Sequence, residues 1–263
     1  MKRRSTFWAW FVIVLGIVYF FLPLVATADF SLRAQRDTLS FLAYERVLQD
    51  NQFISSFLFS LRMAVTTILV GILLVVPTAY WVHLRLPRLR PLVELLTLLP
   101  FVIPVIVLVF GLIRVYSRPP FRLTTSTTTT DMLLVAGYLV ISLPYIYRSV
   151  DIGLRAMDVR SLTEAAQSLG AGWGTILFRI ILPNLRTAAL TGALLTLAIV
   201  IGELTLAQYL ARPAFGPYMA LLGQNRAYEP AALAIISFAL TWAAMGLIYW
   251  LTRGQQAQIG GGH

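Results

Sequence analysis

The sequence predicts an all-α membrane protein of six transmembrane helices, and two observations carry that prediction. Hydrophobic residues make up 58% of the chain and charged residues only 12%, about half the charged share of a soluble domain. Six stretches, residues 5–28, 63–82, 95–113, 132–147, 187–202 and 230–252, hold no formally charged side chain. A span needs roughly 20 apolar residues, and in lipid a single segment of that length satisfies its backbone only as a helix.

Each element follows in order. The first run comes directly after Met-Lys-Arg-Arg; it is too long for a signal-peptide core and reads as a retained anchor. Residues 29–59 form an external loop with a short amphipathic helix before the second span. Pro100 and Pro104 lie on one face of the third and predict a bent helix. Residues 124–130, a Thr/Ser run, read as a solvated external loop. The fourth and fifth runs are short, so Arg148 is expected to snorkel and the fifth span to continue past Glu203 through residues 204–210. An even number of spans puts both termini on one side. Arg85, Arg88 and Arg90 crowd the short second loop with no acid beside them, which places that loop and both termini in the cytoplasm. The predicted organisation is residues 1–55 as an N-terminal helix with its external loop, 56–252 as a five-helix core, and 253–263 as a cytoplasmic tail.

Composition excludes several functions. There is no cysteine, hence no disulfide or thiolate site, and the single lysine, Lys2, leaves no phosphate-binding Gly-x-x-x-x-Gly-Lys-Ser/Thr loop. The two histidines, His83 and His263, stand apart, and no metal site or catalytic constellation is expected. The net charge of +10 is read as arginine at lipid head groups rather than a nucleic-acid surface. The terminal Gly-Gly-Gly-His is assigned no function.

One polar segment between hydrophobic runs stands out: Glu164-Ala165-Ala166-Gln167-Ser168-Leu169-Gly170, then Ile180-Ile181-Leu182-Pro183. Ser161 and Glu164 have the spacing of a capping box, Gly170 sits where a left-handed terminator is wanted, and Pro183 falls in the first turn of the next run. Ala165 and Ala166 are expected to flatten one face for a soluble partner.

This spacing resembles the EAA motif of the membrane subunits of ATP-binding-cassette importers, with every motif position filled. The resemblance implies a type I importer permease fold in a prokaryotic inner membrane, with residues 161–170 as a cytoplasmic coupling helix. Glu164, Ala165, Ala166, Gly170, Ile180, Leu182 and Pro183 would then serve ATPase coupling, with Ser161 as helix cap. It further implies that the chain is not itself an enzyme: a dimer of partner ATPase subunits would bind ATP and Mg. The other expected partners are a second permease subunit, favoured as a different chain, and an extracytoplasmic substrate-binding protein. The plainer reading of the same segment is a cytosolic helix that merely caps the fifth span.

Glu203 and Gln208 are candidates for the translocation path, because ionisable groups in spans usually face the protein interior; the alternative for Glu203 is a structural pair with a neighbouring arginine. Glu94 is expected to pair with Arg88 or Arg90, and Arg114 to snorkel. The chain looks most like the spermidine/putrescine-type permeases, which favours a polyamine cargo, with ferric iron, thiamine, sulfate or aminoalkylphosphonate as alternatives. Net positive outer loops oppose a polyamine while Glu203 in the path would suit one. An ion-coupled secondary transporter using Glu94 and Glu203 is a different class, as is a membrane scaffold. The first requires inverted repeats, which the sequence does not display.

Overall fold

A computed structural model describes residues 3–35 and 38–259, with the side chains of residues 7–35, 38–243 and 246. The readings placed on Lys2, His263 and the terminal Gly-Gly-Gly-His fall outside the described residues. Among those residues every regular segment is helical: α1 Arg3–Ser31, α2 Leu42–Gln49, α3 Asn51–Arg85, α4 Arg90–Val102, α5 Val105–Tyr116, α6 Thr127–Arg155, α7 Val159–Ser168, α8 Trp173–Thr175, α9 Leu182–Asn184, α10 Arg186–Gly202, α11 Thr205–Tyr209, α12 Phe215–Asn225 and α13 Glu229–Ile259. A π-helix, Ile176–Ile181, joins α8 to α9.

The apolar helices follow the predicted order. Phe7–Ser31, Asn51–Arg85 and Thr127–Arg155 are each long and apolar enough to cross a membrane. Two bent helix pairs are apolar enough when each is taken together, as a broken span or a re-entrant loop, with a bend of 99° between Pro87–Val102 and Val105–Tyr116 and of 74° between Trp173–Asn184 and Arg186–Gly202. Glu229–Ala243 supplies the last apolar helix. The retained-anchor reading rests on length, since Ala26, Thr27 and Ala28 do form the small-residue triplet of a cleavage site; α1 runs unbroken through it.

The chain divides into two compact units. In the first, residues 1–54 and 218–244, α1 carries large apolar side chains exposed along its length, from Phe7 to Val25, as a lipid-facing helix must. The amphipathic α2 buries Ala43 and Val47, four residues apart, and Tyr44 shares a 2.7 Å hydrogen bond with Ser31. Glu229 is buried and accepts from Arg46 at 3.1 Å and Arg226 at 3.2 Å.

The second unit, residues 55–217 and 245–263, holds two apolar cores. One gathers Met63, Val109, Leu133, Tyr138, Val200 and Leu206. The other gathers Val76, Tyr80, Tyr147, Leu154, Ile176 and Leu185. Helices α6 and α10 pack closely because glycine lines their contact: a Cβ on Gly192 would lie 3.2 Å from the Ile146 backbone, the small-residue packing usual between membrane helices.

Four boundaries differ from expectation. Residues 127–130 form the first turn of α6 rather than a loop, because Ser126 caps the helix by accepting from the Thr129 amide. Residues 51–62 extend α3 ahead of the predicted second span. The fourth span is not short: α6 continues through Asp151 to Arg155, whose charges pair with one another. The fifth does not run on past Glu203, which is extended at φ −77°, ψ 126° and ends α10.

Candidate functional site

Helix α7 carries the motif, and its local chemistry explains where it begins and ends. Asp158, not Ser161, is the N-cap: its carboxylate accepts from the Ser161 amide at 3.1 Å and from the Ser161 hydroxyl at 2.6 Å. Those bonds hold the Asp158 carboxyl below the usual carboxylate range, the Ser161 hydroxyl contributing most. The predicted capping box is therefore not formed. The helix starts two residues earlier, so Ser161 lies in its first turn and Glu164 instead pairs with Arg160 at 2.9 Å. That pair is solvent-exposed and contributes little to stability.

The C-terminus forms as expected. Gly170 has φ +77°, its amide donates to Gln167 O at 2.9 Å, and the Ala171 amide reaches Ala166 O at 3.0 Å. This is the Schellman arrangement, which needs a residue at ease in the left-handed region.

The two alanines do not share a face. Successive helical residues are about 100° apart, so Ala166 is buried, along with Val159 and Thr163, while Ala165 is exposed beside Glu164. Val159 and Ala166 belong to the core shared with α3 and α6. The outward face consists of Arg160, Glu164, Ala165 and Ser168, ending at Leu169, an apolar side chain 88% exposed.

Beyond Gly170 the motif's second half turns inward. Ile180 and Leu182 are half-buried against the same core, so they anchor the segment from within, and Pro183 is exposed in α9. Proline cannot donate a backbone hydrogen bond, and the π-helix ends immediately before its turn, at Ile181.

Glu203, the candidate for the translocation path, has no arginine partner among the described residues. Its carboxylate accepts from the amides of Thr205 at 2.7 Å, Leu206 at 2.9 Å and Ala207 at 3.4 Å, capping α11 across the break in the span. The expected arginine partner is replaced by backbone amides, which the broken helix would otherwise leave unsatisfied. Gly216 packs directly on the Glu203 carbonyl, so glycine is required there. Gln208, on α11, is exposed.

A buried ionic cluster escaped sequence reasoning. Asp151 of α6 accepts from His83 of α3 at 2.7 Å, Arg90 of α4 at 2.9 Å and Arg155 at 2.8 Å. Glu94 accepts from Arg90 at 3.1 Å and Arg155 at 2.8 Å; Arg90 was foreseen, Arg155 was not. The available signal was Asp151 and Arg155 at i,i+4 beyond an uncharged window. Among the described residues no group of three or more His, Cys, Asp or Glu could hold a metal ion.

Residues 71–255 match the model of a family described as binding-protein-dependent transport system inner membrane component. A probable sulfate transport system permease protein from Nephroselmis olivacea is 27% identical over 211 residues, 77% of this chain and 72% of that protein. A molybdenum transport system permease protein from Mycobacterium bovis is 28% identical over 202 residues, 74% and 73% of the two chains. Among solved structures, a chain of a bacterial ABC transporter that imports alginate superposes with a TM-score of 0.71 at 15% identity, covering 97% of this chain and 98% of that one. A bacterial alginate ABC transporter in complex with its alginate-pentasaccharide-bound periplasmic protein gives 0.70 at 17% identity, covering 96% of each chain. These likenesses show the fold.

Proposed function

The chain belongs to the family of binding-protein-dependent transport system inner membrane components, and from that premise we propose that it is one half of the membrane pathway of an ATP-driven importer. The observation that carries the proposal is α7: a short, well-terminated helix whose inner face is locked into the core while its outer face, from Arg160 to the exposed Leu169, has no cover in this chain. In this reading the outer face of α7 seats in a separate ATPase. Glu164, Ala165 and Gly170 form the contact, and Ala166, Ile180 and Leu182 hold it in place from within. ATP and Mg belong to that partner, both termini lie on its side of the membrane, and residues 253–263 form a tail there. Residues 56–252 are the working core, closed against a second permease chain.

The cargo reading moves away from polyamines. The relatives named above are permeases for sulfate and for molybdenum, the loops that this reading places outside are net positive, and the Glu203 carboxylate that would have drawn a cation is taken up by backbone amides. A small oxyanion fits these three facts. The alginate transporters point to the same sign of charge on a larger solute.

Two measurements test this. Purifying the chain in mild detergent from its native membrane should recover an ATPase, a second permease and a binding protein; recovery of the chain alone would contradict the importer. Titrating that binding protein with sulfate, molybdate and spermidine by calorimetry should give heat with an oxyanion. Spermidine binding alone would restore the polyamine reading.

A further inference from the structure

The last turns of α3 reach three different elements within six residues. Tyr80 contacts α7, Trp81 and Arg85 contact the segment that follows it, and His83 contacts α6. We infer that this end of α3 is the hub through which movement of α7 enters the membrane helices, with Tyr80 and Trp173 as its positioning residues. The inference rests on the docking role proposed for α7.

The Tyr80 hydroxyl lies 2.9 Å from Thr163 Oγ1, and Thr163 Oγ1 donates to Val159 O at 2.6 Å. A hydroxyl has one proton. Thr163 spends its own on Val159, so Tyr80 is the donor and Thr163 its acceptor. The result is a directed relay from α3 into the first turn of α7. Tyr80 is 3% exposed and Thr163 2%, so water cannot replace either partner, and breaking the relay strands a buried hydroxyl.

The second grip is aromatic. Trp81 meets Trp173 edge to face, with centroids 5.4 Å apart and planes at 66°, and the Arg85 guanidinium lies 5.7 Å from the Trp173 ring centre. Trp173 is the third residue after Gly170, where the chain has left α7 and begins α8. Helix α7 is thus held to α3 at mid-helix through Thr163 and just past its end through Trp173. With two grips, a tilt of α7 strains at least one contact with α3. The third arm, from His83 to Asp151 at 2.7 Å, passes the displacement to α6, which Arg90 in turn ties to α4. The hub therefore reaches α6 and, through it, α4, the first half of the bent pair α4–α5.

The test uses the whole complex, reconstituted in proteoliposomes with its ATPase and cargo-loaded binding protein. Tyr80→Phe, Thr163→Val and Trp173→Ala should each keep the ATPase at full stoichiometry with its basal hydrolysis. Each should cut binding-protein-stimulated hydrolysis and uptake roughly fivefold, the size of one net hydrogen bond or aromatic contact. The double variant Tyr80→Phe with Thr163→Val should do no more harm than either change alone, because both remove one link. Trp173→Phe should recover most of the stimulation. Unchanged stimulation in Tyr80→Phe and Trp173→Ala would overturn the hub. Loss of the ATPase itself, in step with uptake, would also overturn it while leaving the docking of α7 intact. ATPase retention by Gly170→Arg would instead refute the docking, and the hub with it.

Discussion

At the scale of single residues, the position of a charge relative to backbone amides decides most of what the chain does locally. Asp158 gives the amide and hydroxyl of Ser161 an acceptor at the start of α7, whereas Ser161 caps nothing. Asp158→Ala should therefore raise the corrected hydrogen-exchange rates of the first α7 amides, and Ser161→Ala should raise them much less. The pH dependence has a definite sign. The Asp158 carboxyl is held below its ordinary value by Ser161, so its contribution is complete above the unfolded carboxylate value, about 3.9, and fades as pH falls through the lower folded value. Between pH 7 and 5 the start of α7 should be unchanged, and it should fray only in stronger acid. Asp151 is the harsher case. It is 5% exposed and accepts from His83, Arg90 and Arg155, so Asp151→Ala leaves two guanidinium groups sharing Glu94 alone and should destabilise the detergent-solubilised protein by about 3 kcal/mol, read from thermal or denaturant unfolding.

At the scale of elements, helix ends and helix contacts carry the function, and they differ in how plainly the sequence announces them. The terminator of α7 was legible because φ > 0 demands a particular residue, and Gly170 is that residue. Gly170→Ala adds a strained left-handed alanine, worth roughly 1 kcal/mol, and should fray α7 at its docking end while the membrane helices keep their stability. Its beginning was not legible: Asp158 and Ser161 offer two competing caps three residues apart, and only the buried Val159 and Thr163 show which turn comes first. Span lengths were underestimated for α6 because a window that forbids charge stops at Arg148, blind to Asp151 and Arg155 neutralising each other in three dimensions. The break at Glu203 was hidden for the opposite reason: a carboxylate inside an apolar run reads as costly, yet here the backbone amides of α11 are its partners. Close helix packing gives the sharpest test at this scale. The Ile146 backbone lies 3.2 Å from where a Gly192 side chain would begin, so Gly192→Leu should force α6 and α10 apart and lower stability by roughly 1–3 kcal/mol, seen as a lower unfolding midpoint and reduced yield.

At the scale of the whole molecule, the chain is built to be incomplete. Helix α1 presents apolar side chains from Phe7 to Val25 to its surroundings, two apolar helix pairs are sharply bent, and α7 ends in an exposed leucine. Lipid covers the first of these. In the proposed reading a second permease at the pathway and an ATPase at α7 complete the molecule. Because the chain contains no cysteine, a single introduced thiol reports its own surroundings without background. Ala165→Cys and Leu169→Cys place one thiol on the outer face of α7, and Ala166→Cys places one on the inner face. Thiol cross-linking of the purified complex, with adducts identified by mass spectrometry, tests the central claim most directly. The account predicts ATPase adducts from positions 165 and 169 and none from 166. Absence of an ATPase adduct from both outer positions, in a complex that still hydrolyses ATP and takes up cargo, would contradict it.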